Sequence, residues 1–117
     1  MDNRSKEMAK LAFKAMDDKL ATDIRIIDIS NISVIADYFI ICNGKNINQI
    51  QAISDNIEDF LGRAGYMPKA IEGRNNATWI LLDYGDIVVH VFNAEDREFY
   101  DLERIWKDGA LVDADSL

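Results

Sequence analysis

The chain has 117 residues, enough for one domain that buries about two-thirds of the surface its unfolded form exposes. Hydrophobic residues make up 49% of it, with one proline and six glycines, so an ordered globular domain is expected rather than a disordered segment. The formal charge of −8 argues against a broad nucleic-acid-binding surface and suits a basic protein partner. Solubility alone also accounts for such a charge, so charge does not identify a partner.

No segment of the sequence has the pattern of a membrane-spanning helix or of a secretion signal. The apolar runs are far shorter than the roughly 20 residues of a spanning helix, and the charged N-terminus lacks the apolar core of a signal peptide. We therefore expect a cytoplasmic protein. Cys42 is the lone cysteine, and with only one histidine the chain has too few ligands of these types for a four-ligand zinc site. Cys42 is expected to be a small buried residue, and no metal or cofactor is expected.

The first third of the chain predicts one helix followed by two strands. Residues 5–20 carry apolar side chains at helical spacing, with Ser5 as the N-cap candidate. Residues 24–29 are rich in isoleucine and are predicted to form a strand, and residues 37–42 a second one. Because residues 37–42 are almost continuously apolar, we expect this second strand to lie centrally in the sheet with both faces buried.

The middle of the chain predicts a second long helix and an edge strand. Asn46 is followed by Gln49 three residues later, the spacing of a capping box, and apolar residues continue at helical spacing to Leu61. Residues 67–72 are predicted to form a short strand. Pro68 places that strand at the edge of the sheet, because proline cannot donate to a ladder.

Residues 79–92 carry the clearest pattern in the sequence, two β-rich runs around a Tyr-Gly turn. A two-residue turn pairs Trp79 with His90 and predicts a β-hairpin. Since side chains alternate across a strand, one face of the hairpin is purely aliphatic and is expected to be core. The opposite face collects Trp79, Leu81, Asp83, Asp86, Val88, His90 and Phe92. If both long helices cover the aliphatic face, this second face stays open and has the composition of a docking surface.

The last part of the chain predicts one more helix and a tail. Asn93, with Asp96 at the third helical position, is predicted to cap a helix that carries Phe99 and Trp106. Residues 108–117 are small and acidic, and we expect a flexible tail after a single domain of residues 1–107. Together the elements predict an α/β (α+β) fold, a mixed five-stranded sheet with helices mainly on one face.

Two aspartates and one loop favour an enzymatic alternative, a divergent metal-dependent nucleotidyltransferase. Asp83 and Asp86 lie three residues apart at the hairpin tip, where they either share a hard cation or only form the turn beside glycine. Asn43-Gly44, before the second long helix, is the one loop suited to a phosphate. Neither a phosphate-loop motif nor a dinucleotide-binding motif is present.

His90 is the only histidine, and no serine or cysteine nucleophile has a supporting sequence context. Stacking on Trp79 is the simpler account of its position. Trp79 and Phe92 are residue types that anchor interfaces, although ordinary packing also explains them. Arg97 has Asp101 four residues later and pairs either with it or with a carboxylate of a partner.

At these residues the sequence resembles the ribosomal silencing factors, also called Iojap-like proteins. The resemblance runs from about Glu7 to Trp106 and is most specific over residues 79–100, with further matches in residues 37–44 and 100–106. It implies a fold similar to that of nucleotidyltransferases but without their catalytic residues. This chain likewise has no convincing Gly-Ser plus Asp-x-Asp pair.

By resemblance, the protein is a non-enzymatic repressor of translation under nutrient limitation. The family binds the large ribosomal subunit through its fourteenth large-subunit protein and blocks joining of the small subunit, and its members are often homodimers. No cofactor, membrane contact or sequence-specific nucleic-acid contact is implied. The resemblance also implies which residues bind the partner. They are Trp79, Asp83, Asp86, His90, Phe92, Glu95, Arg97 and Tyr100.

Overall fold

The computed structural model describes residues 3–75 and 78–117, which form a six-stranded mixed sheet. The strands are β1 (Thr22–Asp28), β2 (Tyr38–Asn43), β3 (Ala70–Glu72), β4 (Trp79–Asp83), β5 (Ile87–Phe92) and β6 (Ala110–Leu111). They lie side by side in the order β3-β4-β5-β2-β1-β6. The β2 and β5 strands run parallel, and the other neighbouring strands of the described sheet run antiparallel.

The positions of the central and edge strands are as predicted. Every residue of β2 is buried, including Cys42, and the strand lies between β5 and β1. The β3 strand lies at one edge of the sheet, just after Pro68. No helix in the described ranges is long and apolar enough to cross a membrane.

Two long helices cover one face of the sheet, as predicted. They are α1 (Asn3–Asp18) and α2 (Ile47–Arg63), and their buried stripes pack on the aliphatic face of the hairpin. At the start of α2, the Asn46 side chain accepts from the Gln49 backbone N–H at 2.8 Å, which confirms the predicted cap. Ser5 is not an N-cap. It lies buried within α1 and donates to the Asp37 carboxylate at 2.5 Å.

The hairpin has the predicted faces but a different register. Trp79 pairs with Phe92 rather than with His90, because Asp83 pairs with Val88 and the turn is therefore centred one residue later than the predicted Tyr84-Gly85 turn. Gly85 in this loop has a φ of +84°, a left-handed conformation that glycine adopts without strain. The pairing therefore slips by two positions, and because side chains alternate with a period of two, each residue keeps its face.

The second face of the sheet is covered, contrary to expectation. After β5 the chain forms α3 (Ala94–Tyr100) and α4 (Leu102–Ile105), two short helices instead of one. Asp101 separates them with a φ of 47°. Leu102 and Trp106 then pack on a second buried cluster, which consists of Ile27, Ile29, Ala36, Phe39, Ile41, Val88 and Phe92. Helices thus lie on both faces, because the apolar residues after Asp101 fold back over the sheet.

The C-terminal segment contributes a strand that the sequence does not predict. The β6 strand pairs with β1, with Leu111 opposite Ile27. Beyond it, Val112, Ala114 and Leu117 pack against the main core. The sheet has six strands rather than five, because a two-residue strand is too short to produce a recognisable alternation of side chains.

Candidate functional site

The residues of the predicted docking set divide into a buried layer and a more exposed rim. The buried members are His90, Phe92 and Arg97, which are 3%, 1% and 9% exposed. The half-buried members are Trp79, Asp83 and Asp86, and the exposed members are Glu95 and Tyr100. Since these three residues are buried, and Leu102 and Trp106 pack on the cluster that contains Phe92, the expectation that this whole face is open is wrong. In this conformation the buried residues lie beneath the more exposed members of the set.

His90 lies within an aromatic cluster and orients its neighbour. Trp79 Nε1 donates to His90 Nδ1 at 2.9 Å, and the two ring centroids are 5.8 Å apart. Phe39 and Phe92 also contact the imidazole, with centroid distances of 5.1 and 5.9 Å. Burial lowers the pKa of His90 to about 4, so the ring is neutral at pH 7 and Nδ1 is free to accept. Its Nε2 is buried without a partner among the described residues.

Trp79 connects this cluster to the surface. Its ring centroid lies 4.9 Å from that of Phe92 and 4.5 Å from that of Tyr100. Tyr100 in turn contacts the Phe99 ring, which is 79% exposed. Sequence analysis placed Phe99 on the apolar side of one continuous helix and therefore missed it as a surface residue. The break at Asp101 separates it from the residues that fold over the sheet.

The two aspartates at the hairpin tip face different surroundings. Asp83 Oδ1 accepts from the Gly85 backbone N–H at 2.8 Å, so its turn-forming interpretation is confirmed. Asp86 Oδ2 lies 3.3 Å from Arg4 Nε of α1. Across the described residues, no group of three or more His, Cys, Asp or Glu side chains is arranged to hold a metal ion. The cation site of the enzymatic alternative therefore has no geometric support there.

Arg97 joins several elements of the fold. Its Nε and Nη2 donate to the two carboxylate oxygens of Glu103 at 3.0 and 3.2 Å. Its Nη1 donates to Asn43 Oδ1 at 3.1 Å and also to the Asp23 carbonyl. The predicted pairing with Asp101 is wrong, since Glu103 takes that role. A bidentate guanidinium in this position holds α3 and α4 against β1 and β2.

Comparison with known proteins identifies the family. A sequence model described as ribosomal silencing factor during starvation matches residues 2–117. The chain belongs to the ribosomal silencing factor family. The Bacillus subtilis ribosomal silencing factor is 46% identical to it over 110 residues, which cover 94% of this chain and 93% of that protein.

Two further proteins are similar to this chain, one in structure and one in sequence. A crystal structure of a Chromobacterium violaceum protein is similar with a TM-score of 0.86 and 32% identity, covering 92% of this chain and 88% of that one. A mouse protein named mitochondrial assembly of ribosomal large subunit protein 1 is 30% identical over 90 residues. That match covers 74% of this chain and 39% of the mouse protein.

The chain presents one continuous surface on the hairpin side, which we name the docking strip. Asp83, Leu81 and Trp79 follow each other along the same face of β4. Tyr100 and Phe99 continue it onto α3 through the contact of Tyr100 with Trp79. Carboxylates flank the strip, since Glu72 of β3 pairs with Leu81 and the exposed Glu95 belongs to α3.

Proposed function

We propose that this silencing factor binds the large ribosomal subunit in the cytoplasm, through its fourteenth large-subunit protein, and blocks joining of the small subunit. The family description names silencing during starvation, and the name of the mouse relative refers to the ribosomal large subunit. In the chain itself, the docking strip carries the proposal. It combines half-buried and exposed aromatic residues with flanking carboxylates, the composition of a surface that binds another protein.

The charge of the strip suits a basic ribosomal protein. Trp79 and Leu81 supply an apolar centre, and Asp83, Glu72 and Glu95 lie around it. Carboxylates at a rim attract basic residues of a partner and raise the rate of association, while the apolar centre supplies most of the affinity. The net charge of −8 acts in the same direction.

The proposed repression is steric and needs no catalytic step. The molecule measures 34 × 32 × 26 Å. A bound copy therefore covers an area of the large subunit that no other macromolecule can occupy at the same time. Each bound copy then silences one large subunit. The extent of repression depends only on occupancy, and hence on the dissociation constant and the concentration of free factor.

Cosedimentation with isolated large subunits tests this proposal. We expect the wild type to pellet with the subunits, and Trp79→Ala and Asp83→Lys each to weaken binding by about tenfold or more, because they remove the apolar anchor and reverse a rim charge. Ile47→Ala and Asp55→Lys change exposed residues of α2 on the opposite face and serve as matched controls. Undiminished binding by both strip variants would refute the strip as the interface. A wild type that stays in the supernatant would refute the function itself.

We propose further that the free protein forms a homodimer through the same strip. The support is the exposed aromatic surface formed by Trp79, Tyr100 and Phe99, which a second copy would bury. Light scattering during gel filtration should give a dimeric mass at micromolar concentration and a monomeric mass for Trp79→Ala. A wild type that stays monomeric throughout this range would contradict the homodimer.

A further inference from the structure

The exposed end of α3 carries two perpendicular aromatic rings beside carboxylates. Phe99 is 79% exposed and Tyr100 is 45% exposed, and their ring centroids lie 5.1 Å apart at an interplanar angle of 90°. With Glu98, Asp101 and Arg104, they line an open concavity of about 590 Å³. Phe99 belongs to neither buried cluster, so the packing of the core does not explain a large apolar side chain at this position.

The charge around this concavity is negative. The α3–α4 segment contains two arginines, of which Arg97 is paired with Glu103. The remaining carboxylates of the segment, which have only Arg104 to balance them, are Glu95, Asp96, Glu98 and Asp101. A cationic group entering the concavity therefore meets an excess of carboxylates as well as two aromatic rings.

We propose that this concavity is a receptor for an arginine side chain of a basic polypeptide. A planar guanidinium can stack on the face of an exposed ring while its N–H groups donate to the carboxylates of Glu98 and Asp101. Lysine offers charge without the planar fork, so arginine fits this combination better. The inference rests on the proposed function, since the polypeptide is the ribosomal protein that the docking strip contacts. It adds the chemistry of one contact at the end of that strip.

Other occupants fit the concavity less well. Nucleic acid brings phosphates, which the carboxylates of Glu98 and Asp101 repel. A second copy of the chain needs an interface of roughly 800 Å² on each partner, so it would cover the whole docking strip and not place a single side chain in this concavity. Arg104 opposes an incoming guanidinium, because it lines the same concavity with the same charge. Neutralising Arg104 should therefore strengthen arginine binding.

NMR titration with a short peptide tests the receptor directly. The probe is acetyl-Gly-Arg-Gly-amide, and its matched control carries citrulline, which has nearly the shape of arginine without the charge. We expect saturable shifts at Phe99 and Tyr100, with citrulline at least about tenfold weaker, a ratio equal to about 1.4 kcal/mol. Phe99→Ala should abolish the shifts, and Arg104→Gln should strengthen binding. Met67→Ala, at another exposed apolar side chain, should bind like the wild type.

Two results of this titration would overturn the receptor. One is shifts spread evenly over carboxylates elsewhere, such as Asp17 and Asp55, since that pattern indicates unspecific charge attraction. The other is equal affinity of Phe99→Ala and the wild type. Cosedimentation separates the receptor from the proposed function. If wild type fails to pellet with large subunits, the ribosomal partner is wrong while the titration still decides the receptor. If Phe99→Ala pellets as well as wild type, the arginine contact is no part of docking.

Discussion

Replacing Arg97 with methionine should lower the free energy of unfolding by about 3 kcal/mol, the lower end of the cost of breaking a buried ion pair. Arg97 is 9% exposed, and its removal leaves Glu103, Asn43 and the Asp23 carbonyl without their donor. The lower end applies because the Glu103 side chain is 35% exposed, so water replaces part of the lost interaction.

Urea denaturation of Arg97→Met should show this loss as a midpoint that is lower by about 1–2 M of urea. This shift assumes the dependence of the unfolding free energy on urea concentration that is typical of a protein of this size. Arg104→Met is the matched control, because it removes an exposed arginine from the same segment and should change stability by no more than about 0.5 kcal/mol. If Arg97→Met instead keeps full stability and loses only large-subunit binding, then Arg97 contacts the partner. That result would restore the role that the family resemblance implies and contradict the structural one.

The sequence predicts those elements whose signals are local. The cap at Asn46 needs only Gln49, three residues away, and the central position of β2 follows from its own apolar run. The faces of the hairpin were also predictable, because alternation does not depend on the length of the turn. The register was not, since a turn centred on Tyr84-Gly85 and one centred a residue later are both compatible with the residues around Gly85.

The features that were not predicted depend on distant parts of the chain. The β6 strand exists because Leu111 finds Ile27 across the sheet, which no pattern within residues 108–117 reveals. The break at Asp101 is likewise stabilised by tertiary contacts, since Leu102 and Trp106 fold onto the cluster around Phe39. Tertiary packing of this kind outweighs local helix propensity.

The same folding-back changes the meaning of the predicted site residues. Sequence alternation placed Trp79 and His90 on one face, and the structure joins them by a hydrogen bond. Alternation alone gives no depth, however, so His90 was assigned to an open surface although it is buried. Phe99 was assigned to packing and lies on the surface. Whether a residue on one face of the sheet is buried depends on which segment packs over it. Here that segment follows Asp101.

The stability of the wild type should fall as the pH is lowered from about 6.5 to about 4, because of His90. Its pKa is lowered to about 4 by burial in the folded protein, against the ordinary histidine value of 6.5. Between these two pH values the unfolded chain binds a proton that the folded protein does not, so the free energy of unfolding decreases as the pH falls. The decrease levels off below about pH 4 and amounts to about 3 kcal/mol, since each unit of pKa difference equals about 1.36 kcal/mol.

Urea denaturation at several pH values between 4 and 7 should separate this effect from the titration of carboxylates. His90→Asn keeps an acceptor near the position of Nδ1 but does not titrate, so its stability should depend less steeply on pH. The difference between the two profiles isolates His90, and parallel profiles would contradict its depressed pKa. Protonation of Nδ1 also removes the acceptor for Trp79 Nε1, but the folded protein takes up this proton only near pH 4, so Trp79 at the centre of the docking strip should loosen only as the pH approaches that value. Large-subunit binding by the wild type should then weaken as the pH approaches 4, more than binding by His90→Asn.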